Sequence, residues 1–90
     1  MEEIWKPIKG YEGLYEISSC WRVRSVDRRD RRGTFHKGRI LTIRKSTIFE
    51  GLFVKLSKNG IQKEKDIRYI IVHSFEDSDE LREILSREPK

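Results

Sequence analysis

The ninety residues predict an α+β fold: a small antiparallel β-sheet of three to five strands, followed by one or two C-terminal α-helices. Three observations carry this. Up to residue 65 apolar and polar side chains alternate in short runs, the period of half-buried strands. Gly-rich and Asn-Gly stretches separate the runs, as hairpin turns do. From Asp66 the spacing changes, and Ile67, Ile70, Ile71 and Phe75 fall on one helical face. At this length a second core would not fit. One domain over 1–90 is expected, β-rich over 1–65 and helical over 66–88.

Each element has its own signal. Glu3–Ile8 contains Pro7, which donates no ladder bond, so it predicts an edge strand or extended arm. GYEG at 10–13 is turn chemistry. Leu14–Ser18 and Arg22–Val26 both alternate and read as a hairpin about a turn at Ser18–Trp21. Asp27–Lys37, DRRDRRGTFHK, is polar and glycine-punctuated, which predicts a mobile basic loop over about 27–37. Gly38–Lys45 is a strand candidate, and Ser46–Gly51 a connection. Leu52–Ser57 is the clearest strand, with Lys58-Asn59-Gly60 turning it into Ile61–Lys65. Asp66 can cap the first helix. Asp77-x-x-Glu80 matches a variant capping box before a second helix with a Leu81, Ile84 and Leu85 stripe, which Pro89 ends.

Charge is unevenly placed. Residues 22–45 hold ten Lys or Arg against Asp27 and Asp30, a net of +8, whereas 76–90 carry a net of −3. Such a basic block attracts polyanions, nucleic acid being the commonest; a solvated loop is the plainer reading. A single cysteine, Cys20, excludes an internal disulfide and a cysteine-rich zinc site. It is expected to be small and buried or half-buried. No apolar run approaches the roughly 20 residues of a membrane span, so a cytoplasmic protein without membrane contact is expected.

The segment IWKPIKGYEGLYEISSCWRVRS resembles the nuclease-associated modular domain of type four, NUMOD4, found at the front of many phage and bacterial HNH homing endonucleases. Trp5, Ile8, Gly10, Tyr11, Glu12, Gly13, Tyr15, Ile17, Ser18, Val23 and Ser25 carry the resemblance. GRIL, GLFVKLSKNG and IRYIIVHSF extend it in outline. There are two departures. The family's S-N-x-G turn is Ser18-Ser19-Cys20-Trp21 here, so a wider or bulged turn is expected. Trp21 then either stands exposed as a partner-binding anchor or packs back onto the sheet. After Phe75 the family's H-N-H catalytic segment is replaced by EDSDELREILSREPK, which has no histidine or asparagine.

The resemblance and the charge together imply a non-catalytic DNA-binding protein that grips duplex DNA. Arg22 and Arg24 leave one strand face together. With Arg28, Arg29, Arg31 and Arg32 on the loop they are expected to clamp phosphates, and Lys37, Arg39, Arg44 and Lys45 extend the surface. His36 and His73 stand alone, without the convergent ligands that a metal hydrolase needs, so no enzyme, metal or cofactor is expected. A second reading is a small phage protein that binds and inhibits a host protein, in host takeover or anti-defence. A third is an inactive truncated nuclease, against which the patterned second helix argues.

Overall fold

In the computed structural model, which describes residues 3–45 and 51–89, the α+β prediction holds, but the strands form three sheets. The first has order β1 (Trp5–Pro7), β2 (Tyr15–Ser18), β3 (Val23–Ser25). The second is a two-stranded ribbon of β4 (Arg28–Arg29) and β5 (Phe35–His36). The third has order β6 (Arg44–Lys45), β7 (Leu52–Lys58), β8 (Ile61–Asp66). All pairings are antiparallel. Pro7 lies on edge strand β1, where its missing N–H costs no ladder bond.

Alternation sets the faces. In the first sheet Ile17 and Val23 pair directly and point inward, fully buried, while Glu16 and Arg24 pair on the outer face. Val54 and Leu56 of β7 supply the second inner face. Helix α1 (Ile67–Ser74) closes over them, burying Ile67, Ile70 and Ile71, with Phe75 buried at its C-cap. The Asp66 carboxylate accepts from the Tyr69 N–H at 3.0 Å, the predicted cap. Asn59 and Gly60 both take positive φ, 53° and 76°, as a two-residue primed turn requires.

Helix α2 (Leu81–Ser86) buries Ile84 against this core. The expected Asp77 capping box does not form. The N-cap falls at Glu80, whose side chain makes no capping bond, so Asp77 lies too far upstream to meet the first-turn N–H groups. Ser78 Oγ accepts from the Glu80 N–H instead, at 3.2 Å.

Three further expectations are corrected. The 27–37 segment, expected as a loop, carries the β4–β5 hairpin. The Gly38–Lys45 strand is divided: Ile40 bridges to Arg24 and the Leu41 N–H bonds the Val23 carbonyl, whereas Arg44 and Lys45 pair with Phe53 and Leu52. One half of the segment extends the first sheet and the other starts the third. Cys20 is exposed, because it lies at the tip of the β2–β3 turn. The connection expected at 46–51 lies, apart from Gly51, outside the described residues. Among those described, no helix is long and apolar enough to cross a membrane.

Candidate nucleic-acid interface

Two hairpins of the same turn class frame the basic block. In the first, the Ser18 N–H bonds the Arg22 carbonyl and the Trp21 N–H bonds the Ser18 carbonyl. In the second, the Asp30 N–H bonds the Thr34 carbonyl and the Gly33 N–H bonds the Asp30 carbonyl. Each is a three-residue loop whose last residue is left-handed: Trp21 at φ 62° and Gly33 at φ 80°. The first side chain secures both loops alike. Ser18 Oγ accepts from the Cys20 and Arg22 N–H groups, each at 3.1 Å. Asp30 Oδ1 accepts from the Arg32 and Thr34 N–H groups, each at 2.9 Å.

Trp21 is therefore not a surface anchor. It is 2% exposed, and its indole N–H donates to the Ile84 carbonyl at 2.7 Å, in a buried setting. The side chain ties the β2–β3 turn to α2. Of the two expected alternatives the turn is the bulged one and not the wider one, with tryptophan at the bulge position that glycine usually fills. The ring's burial and its hydrogen bond outweigh the left-handed backbone, which costs a non-glycine residue about 1–2 kcal/mol.

Asp27 and Asp30, the only acids in the basic block, both hold backbone in place. Asp27 Oδ1 accepts from the Gly38 N–H at 2.6 Å and closes the base of the ribbon. A Cβ on Gly38 would lie 2.2 Å from the Ser25 carbonyl oxygen. Glycine is required there because ribbon and β3 approach so closely. Asp30 secures the tip, and its Oδ2 also meets His36 Nε2 at 3.0 Å. That histidine contact, then the Thr34 and Arg32 N–H groups, hold the Asp30 carboxyl below its ordinary pKa.

The ten predicted phosphate-binding cations fall into separate groups. Arg22 and Arg24 do leave one face together, but towards Trp5, with their guanidinium carbons 5.7 and 4.0 Å from its ring centroid. Both are paired. Arg22 Nε donates to Glu3 at 2.8 Å, and Arg24 Nε to Glu16 at 2.9 Å. The Arg22 hydrogen bond lowers the pKa of Glu3, and the same bond raises that of Arg22. Two members of the expected clamp are thus held by carboxylates on the outer face of the first sheet.

Arg28, Arg29, Arg31, Arg32 and Lys37 belong to the ribbon, and all are exposed. Among the described residues none forms an ion pair. Arg29 Nη1 donates to the Gly33 carbonyl, at 3.0 Å. Arg39 stands at the ribbon base, its backbone bonded to Ser25 through both N–H and C=O. Arg44 and Lys45 belong to β6, and Lys45 shares a depression with Asp66 and Glu88. Sequence reasoning missed Phe35, which is 53% exposed opposite Arg29. Its signal was weak, one aromatic in a charged run. His73 on α1 meets Tyr69 with ring centroids 4.2 Å apart and planes tilted by 49°.

A β-hairpin fold with this glycine, tryptophan and tyrosine pattern defines a class. The NUMOD4 motif matches residues 3–59, and the chain belongs to the NUMOD4 family. It is also similar to a solved chain, from work on DNA binding and cleavage by the HNH homing endonuclease I-HmuI. That similarity has a TM-score of 0.61 and 28% identity, and it covers 83% of this chain and 36% of the endonuclease chain. The chain thus spans about a third of that protein's length. No curated protein matches it.

Proposed function

We propose that this chain binds duplex DNA without cutting it, and that the β4–β5 ribbon is its principal grip. The observation that carries this reading is the treatment of charge in the basic block. Both acids are committed to backbone N–H groups, and five ribbon cations extend into solvent without a carboxylate partner among the described residues. A two-stranded β-ribbon fits the major groove of B-DNA, and cations along it would displace condensed counterions from the phosphates. Family membership and the likeness to I-HmuI support a DNA partner. The replaced segment after Phe75 supports the absence of cleavage, since α2 occupies that stretch and brings no histidine or asparagine.

Two measurements test it. In a duplex titration at low salt the dissociation constant should be micromolar, and the triple variant Arg28→Ala/Arg31→Ala/Arg32→Ala should bind at least tenfold more weakly. Affinity near the millimolar range for the unaltered chain would defeat the reading. Supercoiled plasmid incubated with the chain and Mg²⁺ or Mn²⁺ should stay intact. Nicked or linear product would show that the ninety residues carry their own cleavage chemistry.

A further inference from the structure

The ribbon displays one large apolar side chain with no core beneath it. Phe35 is 53% exposed and flanked along the chain by exposed polar and charged residues. It is held in place: it pairs across the ribbon with Arg29, whose guanidinium carbon lies 5.8 Å from the ring centroid, within cation–π range. That guanidinium is in turn anchored by the Gly33 carbonyl at 3.0 Å. The fold therefore presents an oriented phenyl ring in the middle of a cationic patch. Exposed apolar surface brings no stability to the free protein. Nor does a phosphate backbone offer a phenyl ring a partner. The apolar feature of the major groove is the thymine 5-methyl group, and phenylalanine is one of the side chains that contact it.

We infer that Phe35 is a specificity-determining residue that packs on thymine methyl groups in the major groove, with Arg29 orienting the ring and the neighbouring cations holding phosphates. This rests on the DNA-binding reading above and adds a base preference to it. Arg28, Arg31 and Arg32 would bind any sequence; Phe35 would favour thymine.

The test compares two duplexes of the same mixed sequence, one containing thymine and the other uracil throughout, so that they differ only in the 5-methyl groups. The full chain should prefer the thymine duplex by about fourfold for each methyl contacted. Phe35→Ala should bind both duplexes equally, at the level of the unaltered chain on uracil, with the salt dependence unchanged because no phosphate contact is lost. Phe35→Leu should retain part of the preference, and retained exchange protection of the Asp30 and Gly33 amides, whose hydrogen bonds close the tip, should show that the ribbon is intact in both variants. Equal affinity of the unaltered chain for the two duplexes would overturn the inference, as would an undiminished thymine preference in Phe35→Ala. Failure to bind either duplex would overturn the DNA-binding reading first, and this inference with it.

Discussion

Trp21 carries a left-handed backbone that its counterpart Gly33 adopts without strain. Replacing it by glycine relieves the backbone but removes a buried ring and the bond to Ile84. Large-to-small core changes of this kind cost about 3–5 kcal/mol. With the relieved strain subtracted, Trp21→Gly should destabilise the chain by about 1–4 kcal/mol in urea unfolding. A neutral effect would mean that α2 is not held through the indole. At Asp30 the prediction concerns pH. A carboxyl whose folded pKa lies below its unfolded one contributes stability above about pH 4. It loses that contribution as pH falls through the depressed value. The hairpin tip should therefore be ordered at neutral pH and loosen on acidification below pH ~4, read from the Thr34 amide chemical shift. A Thr34 shift that did not move while the Asp30 carboxyl itself titrated would show that the Asp30 bonds do not hold the tip. Asp30→Ala should also weaken DNA binding although it raises the net charge by one. Pure charge counting predicts the reverse.

The ribbon is the element on which the proposed function turns, and it was the least legible part of the sequence. Its strands are two residues each and bury nothing, so no apolar alternation marks them. What orders it is side-chain-to-backbone bonding by Asp27 and Asp30, and a run of charged residues conceals that bonding. The one local clue was Asp30-x-x-Gly33, the usual chemistry of a three-residue turn. By contrast β7, the Asn59-Gly60 turn, β8 and α1 could all be read, because periodicity, turn chemistry and cap agree there. The position of α2 was predicted, but not its cap, because the box pattern alone does not say where the first turn begins. Gly38 gives an element-scale prediction. An added methyl would meet the Ser25 carbonyl oxygen, so Gly38→Ala should push the ribbon base off β3. That should reduce amide exchange protection at Ser25 and Leu41 while leaving α1 unaffected.

At the scale of the whole molecule, a thin slab of 42 × 32 × 19 Å divides its charge by use. The arginines nearest the first sheet are paired with Glu3 and Glu16 and stacked on Trp5. The ribbon arginines are left to solvent. Sequence could count the cations but not sort them, since Arg22, Arg24 and Arg28 look alike until Glu3 and Glu16, 19 and 8 residues away, are brought beside the first two. The two departures from the family pattern likewise become one feature only in three dimensions. Trp21 in the turn binds a carbonyl of α2, the helix in the stretch where the resemblance marks the catalytic segment as replaced. In the proposed complex the ribbon cations, and not the paired arginines, grip the phosphates. The most direct test is the slope of log K against log salt concentration for duplex DNA. Replacing Arg28, Arg31 and Arg32 by alanine should reduce its magnitude by about 2.7, roughly 0.9 for each lost phosphate contact. Replacing Arg22 and Arg24 should leave it unchanged. A slope that fell with Arg22 and Arg24 and ignored the ribbon would contradict the account.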